Sequence, residues 1–297
     1  PIDIQSNYLY PENGKIKAAY VEPEYKEALK YLNKLCTEGL LSPSSFTSDG
    51  AQTRQTIQNP SGVQVGCFTS MAPTYLINAT DRAEGYDILA PLTQDNGTGY
   101  AVYGASIPTN SFFITKNCQY PEAAFRLGDI MMSEEMSIWN RFGKKGTDWV
   151  EPEEGDHGMF ESMGYKAKIK PILAWGSPQN SHWQQGAPAY RGYELACATV
   201  DSGSNIYETR IAEHLQSYLD KKPKEYITKI IYTEDEINAI NEIQQNITSY
   251  RKDSVARFII GDWDIESGWE DYLKEIKAIG VDEMLDIVQK AYDRCNK

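Results

Sequence analysis

The chain has 297 residues and a formal net charge of −13, from 29 Lys and Arg against 42 Asp and Glu. A polyanion is repelled by that average field, which excludes a nucleic-acid binder as the default. Hydrophobic residues make up 41% and charged residues 24%, an ordinary globular balance, and no apolar run approaches the roughly 18 residues of a membrane span.

In chain order, Lys15 to Val21 reads as a short strand after an Asn13-Gly14 turn. Pro23 opens a helix whose Tyr25, Ala28, Leu29, Leu32, Leu35 and Cys36 recur at helical spacing, and Gly39 ends it. A looser helix covers Asp49 to Gln58. Val63 to Phe68 reads as a buried strand, and Ser70 to Ala79 as helical. Tyr86 to Pro91, Tyr100 to Ile107 and Ser111 to Thr115 are strand candidates, with a turn at Asp95 to Gly99. Pro121 starts a helix through Met132, and Ser133 caps another that carries Glu135, Met136 and Trp139. From Gly143 to Gly203 the periodicity disappears. A stretch that long without regular structure is usually functional. Four helices close the chain: Ile206 to Asp220, Glu234 to Arg251, Ile265 to Ile279 and Asp282 to Arg294.

Chemistry-bearing motifs are few. There is no G-x-S-x-G, P-loop or G-x-G-x-x-G. His157, His182 and His214 are widely separated, and only His182, beside Trp183, falls near a candidate site; His214 reads as solvated. No catalytic residue is assigned. Asp262, Asp264 and Glu266 have the opening spacing of a calcium loop. Ser267 stands where glycine is required and Leu273 where the closing Glu is, so capping of the following helix is the better reading. The acidic run Glu151 to Asp156 reads as a solvated loop. Cys36, Cys67, Cys118, Cys197 and Cys295 never form CxxC and suggest neither a structural zinc nor a disulfide framework. No metal and no cofactor is expected.

The aromatic loop is the informative feature. Trp175 and Trp183 stand among Gln179, Asn180, Gln184 and Gln185, with Tyr190 and Arg191 following and Trp149 upstream. Core tryptophans keep aliphatic neighbours; here the neighbours are polar. A sugar offers an apolar C–H face and a rim of hydroxyls, which flat rings and amide or guanidinium side chains match.

Several ordered segments resemble extracellular solute-binding proteins of carbohydrate ABC importers, in the long lipoprotein form of Gram-positive bacteria. They are Pro23 to Leu35 (PEYKEALKYLNKL) with Glu38-Gly39-Leu40, Val65-Gly66 before Phe68, Ile114-Thr115-Lys116, and Tyr120 to Ala124 (YPEAA). Gly143 to Trp149 (GKKGTDW), Trp269 to Tyr272, Gly280 and Gln289 to Arg294 (QKAYDR) continue the series. Lys144-Lys145 depart from the acid usual in that loop, and members of the family are considerably longer.

The resemblance implies an α/β fold of the periplasmic-binding-protein-like type II, two lobes with a hinge, with its N-terminal part missing. Residues 1–68 are expected to form part of one α/β lobe with a hinge-crossing strand, and 69–115 part of the second lobe and the return crossing. Residues 116–297 form a helical C-terminal region with a cleft-lining loop at 143–203. The implied role is the substrate-binding component of an ABC importer, without enzymatic chemistry. It binds an oligosaccharide, hands it to a membrane permease, and works as a monomer anchored outside the cell as a lipoprotein. The implied ligand residues are Ser70, Met71, Tyr75, Asp148, Trp149, Trp175, Gln179, Asn180, Trp183, Tyr190 and Arg191. Arg191 would meet a carboxylate if the ligand is a uronate. A polysaccharide-degrading enzyme and a ligand-presenting sensor module are the rival readings.

Overall fold

A computed structural model describes residues 8–69, 85–93, 97–101, 112–172, 187–190, 192, 198–199, 206–227 and 230–296. The chain divides into two compact units. One comprises residues 1–66, 91–107 and 221–297, the other 67–90 and 108–220.

The first unit opens with a hairpin of β1 (Leu9–Glu12) and β2 (Lys15–Ala18), antiparallel, with Leu9 opposite Ala18 and Glu12 opposite Lys15. Asn13 and Gly14 both take positive φ, 51° and 76°, the two-residue turn whose twist suits a hairpin. The expected strand to Val21 stops at Ala18, and Ala19–Val21 form a 3-10 turn instead. Helix α1 (Pro23–Thr37) begins with proline in its first turn, where no amide hydrogen is needed. Leu29 is its buried residue and Ala28 lies on the exposed side. Helix α2 (Gly50–Ile57) starts at a capping box between Asp49 and Gln52.

In the second unit, Pro121 and Ser133 open α3 (Pro121–Met131) and α4 (Glu134–Phe142) as expected, the Ser133 hydroxyl accepting from the Met136 amide at 3.3 Å. Two short strands, β3 (Trp149–Val150) and β4 (Lys170–Pro171), pair antiparallel inside the stretch that lacked periodicity. Helix α5 (Ile206–Leu219) follows.

The first unit is completed by α6 (Glu234–Ile260), α7 (Ile265–Ile279) and α8 (Val281–Cys295). Helix α6 runs nine residues past the expected stop at Arg251, because Val255, Phe258 and Ile259 continue its packed side and the true stop is Gly261 at φ 89°. Arg251 is itself buried. Its guanidinium lies 3.9 Å from the Tyr8 ring centre, a cation–π contact that offsets the loss of water. Asn33 of α1 donates to the Phe258 and Ile259 carbonyls at 3.2 and 3.1 Å, capping the frayed end of α6. Asp264 caps α7, accepting from the Ser267 amide at 2.9 Å. Gly280, at φ 113°, joins α7 to α8 without a linker.

These helices enclose the main core: Leu9, Ile16, Leu29, Ile240, Ile247, Phe258, Trp269, Tyr272, Ile276, Met284 and Val288. Tyr272 is its centre. Its ring stacks near Trp269 (5.0 Å) and meets Phe258 edge-on (5.8 Å), and its hydroxyl donates to the Tyr20 carbonyl at 3.1 Å. Burial pushes the Tyr272 phenol far up from its ordinary pKa. Gln289 of α8 holds the turn and second strand of the hairpin, accepting from the Ile16 amide at 2.7 Å and donating to the Gly14 carbonyl at 3.0 Å.

Two expected strands, Val63–Phe68 and Tyr86–Pro91, take no ladder among the described residues, and Val63 and Leu89 are exposed. The expected strands Tyr100–Ile107 and Ser111–Thr115 lie partly outside the described residues; their described parts, 100–101 and 112–115, take no ladder. An apolar run becomes a strand only when a neighbouring edge accepts its backbone hydrogen bonds. None of these runs finds one among the described residues. The Ser70–Ala79 helix and the Asp95-Asn96 part of the turn lie outside the described residues; Gly97 takes a positive φ of 79°.

Candidate functional site

The described candidate residues, Asp148, Trp149 and Tyr190, all belong to the second unit. Helix α4 organises them. It ends at Gly143, whose φ of 86° turns the chain into the GKKGTDW loop. Asp148 closes that loop on itself: its Oδ2 accepts from the Lys144 amide at 2.7 Å, and its backbone amide donates to the Lys144 carbonyl at 2.9 Å. The side chain is buried, and a Cβ on Gly143 would lie 2.3 Å from Asp148 Oδ2. Only glycine fits there, by conformation and by space.

Trp149 fixes its ring from the same loop. The indole N–H donates to the Gly143 carbonyl at 3.0 Å. One side of the ring rests on the small cluster of Phe142, Ile169, Ala198 and Ile138. The ring stays half-exposed, with Lys145 Nζ 5.7 Å from its centre. Lys145 is in turn paired with Glu151, whose carboxyl it holds below the usual carboxylate range. Strand β3 carries Trp149 opposite Pro171 of β4, and Ile172 donates to the Asp148 carbonyl at 2.8 Å.

Tyr190 is held from the other side of α4. Its amide donates to the Ser137 hydroxyl at 2.9 Å, and three residues on, Asn140 donates to the Ala187 carbonyl at 2.9 Å. Ser137 and Asn140 are both buried. Their spacing places them on one side of the helix, so α4 clamps residues 187–190 at two points. Tyr190 as a residue remains 45% exposed, and its hydroxyl end leans over Gly192, where a Cβ would lie 2.7 Å from Tyr190 Oη. The elements around one helix thus position Trp149, through its indole N–H, and Tyr190, through its backbone amide, and both residues stay partly exposed.

Ser70, Met71, Tyr75, Trp175, Gln179, Asn180, Trp183 and Arg191 lie outside the described residues, as does His182. Ser137 and Asn140 were not anticipated. Polar residues on a helix read as its wet side.

The other polar candidates are occupied by pairing. In the acidic run, Asp156 accepts from the Glu153 amide at 2.7 Å and pairs with Lys170 at 2.9 Å; the amide first, and the ammonium with it, hold its carboxyl below the usual range. His214, expected to be solvated, instead meets Asp87 at 3.3 Å. Glu266 is bonded to Lys26 at 2.7 Å and also to Lys30. Among the described residues no cluster of three metal-type ligands forms, and no helix is long and apolar enough to cross a membrane.

Solved structures of solute-binding proteins share the fold of this chain along nearly its whole length. The FusA substrate-binding protein of Streptococcus pneumoniae, in complex with kestose, superposes with a TM-score of 0.71 over 98% of this chain and 58% of that chain, at 19% identity. An HMO-binding solute-binding protein of Bifidobacterium longum infantis superposes at 0.64 over 96% and 57%, at 17% identity. By sequence, the chain is 21% identical to the fructooligosaccharide ABC transporter substrate-binding protein FusA over 98% of its own length and 53% of the relative. It is 24% identical to the lipoprotein LipO of Bacillus subtilis over 95% and 53%. No family model matches. The resemblance to carbohydrate ABC solute-binding proteins therefore runs along the chain, which spans about half the length of the curated relatives it matches.

Proposed function

We propose that this chain belongs to the substrate-binding component of an ABC importer and helps to hold an oligosaccharide by ring stacking and hydroxyl hydrogen bonds. The observation that carries the reading is the similarity to FusA along 98% of the chain. The solvent-facing rings of Trp149 and Tyr190 supply the chemistry that a saccharide needs. Trp175 and Trp183 are further stacking candidates, and Ser70, Met71, Tyr75, Gln179, Asn180 and Arg191 supply the polar rim. Asp148 enters as the residue that shapes the loop beneath Trp149. The ligand is bound and released unchanged, so the protein is not an enzyme. It passes the ligand to a membrane permease and works outside the cell as a lipoprotein.

Titration calorimetry against kestose, milk-type oligosaccharides, uronate oligomers and peptides tests this. Saturable binding of a neutral oligosaccharide without release of reducing ends is the expected result. Binding of peptides alone, or turnover of any glycan, rejects it.

A further inference from the structure

The turn of the β1–β2 hairpin brings an electrophile, a nucleophile and a carboxylate together. The electrophile is the side-chain carboxamide of Asn13, whose Cγ is one ring closure away from the next backbone nitrogen. That nitrogen belongs to Gly14, which has no Cβ to hinder an approach, and a Cβ built there would meet nothing within 4 Å. Both residues are exposed, and both take positive φ. The carboxylate is Glu225, whose Oε2 accepts from the Gly14 N–H at 3.3 Å. Gly14 and Glu225 are 211 residues apart in sequence, so only the folded first unit holds them together.

We propose that Asn13 is a modification site, converting spontaneously to aspartate and isoaspartate with Glu225 as the base. The Gly14 nitrogen attacks Asn13 Cγ while its proton passes to the Glu225 carboxylate. The new N–Cγ bond closes a five-membered imide. The Cγ–Nδ2 bond breaks, and Nδ2 takes that proton and leaves as ammonia. Water then opens the ring. Opening at one carbonyl gives aspartate; opening at the other gives isoaspartate, whose main chain runs through Cγ and is one carbon longer. A two-residue turn has no slack for that carbon. Glu12 faces Lys15 across it, and Gln289 grips the Gly14 carbonyl and the Ile16 amide. Isoaspartate at Asn13 breaks this register and loosens buried Ile16 from the core.

Incubation of the chain at neutral pH, followed by peptide mapping with electron-transfer fragmentation to separate isoaspartate from aspartate, tests this. Conversion at Asn13 is expected to run faster in the folded chain than in the same chain in urea. Glu225→Gln keeps an acceptor for the Gly14 N–H but removes the base, and is expected to slow conversion at Asn13 at least about fivefold. Asn96, the other asparagine followed by glycine, serves as the clock in the same digest, and its rate should not change with that substitution. Absence of conversion at Asn13 in the folded chain, or faster conversion in urea, overturns the proposal, because the fold then protects the turn. Equal rates at Asn13 with and without Glu225→Gln overturn it as well. The isoaspartate fraction, separated by ion exchange, should unfold at a lower midpoint than the fresh chain; an unchanged midpoint overturns the loosening of the hairpin.

Discussion

Two regions of the molecule spend their aromatic residues differently. Around Tyr272 the rings of Phe258, Trp263, Trp269 and Tyr250 meet one another at 4.6 to 5.8 Å. Around α4, Trp149 is held by its indole N–H and Tyr190 by its backbone amide, and both residues remain partly exposed. The neighbours in sequence decide which fate a ring has. Trp269 and Tyr272 sit at helical spacing with Ile265 and Ile276, so one helix face collects them. Trp149 follows Gly-Thr-Asp, and Tyr190 follows Ala-Pro-Ala, so neither has a helical stripe to join. A ring in the first setting contributes to stability; a ring in the second stays partly exposed.

The largest effect that would separate the two regions comes from truncation. Phe258→Ala should cost about 3–5 kcal/mol in chemical denaturation, as for a fully buried ring. Phe125→Ala, in residues 1–297, should stay within about 0.5 kcal/mol. Comparable losses at the two sites would break the contrast. Next comes Gly268→Ala, which places a Cβ 2.2 Å from the Trp263 indole nitrogen. Overpacking there should cost roughly 1–3 kcal/mol by the same measurement. An unchanged unfolding midpoint would mean that Trp263 moves freely, contrary to its stacking on Phe258.

The clamp on α4 sharpens the comparison from the other side. Ser137→Ala removes one hydrogen bond from the segment carrying Tyr190, an interaction of about 1 kcal/mol. Affinity for the saccharide identified by calorimetry should fall about fivefold while Ser137→Thr restores it. Tyr190→Ala is the reference. If Tyr190→Ala loses affinity and Ser137→Ala does not, positioning fails; if neither does, Tyr190 is no platform.

The smallest effect is set by pH. Glu236 accepts from the Thr233 amide and both terminal nitrogens of Arg294, at 2.9 and 2.6 Å, and the arginine draws its pKa down to about 2 from 4.5. A carboxylate with a depressed folded pKa contributes its stabilisation above the unfolded value and loses it as pH falls through the folded one. Thermal midpoints should therefore drop between about pH 4.5 and 2, and Glu236→Gln should flatten part of that drop. The pair is exposed, so its share is modest.

What the sequence made legible follows the reach of each interaction. Helices are written locally: Ile265–Ile279 is bounded by Asp264 and Gly280, and both ends were readable from those caps. The fold was legible through the ordered motif series, several of whose members, such as Pro23 and Pro121, open helices. Strands are written at a distance. Val63–Phe68 has the composition of a strand, but its composition does not say whether an edge exists to receive it. At the site, the polar company of Trp149 was legible. The bond from its indole to Gly143 was not, because it depends on the turn that Gly143 makes. Ser137 and Asn140 were missed because burial of a hydroxyl and an amide is explained only by the segment they hold, some fifty residues later.

The hydrogen bond from Tyr272 to the Tyr20 carbonyl joins residues 252 apart, and the Gln289 contacts to Gly14 and Ile16 reach further still. Loop closure over such distances is slow, and a chain emerging from the ribosome cannot make these contacts until nearly all of it has been synthesised. Leu9, Ile16 and Leu29 therefore stay without their full cover until α8 is present, and any chain cut before Gln289 loses the hairpin's two cross-links together.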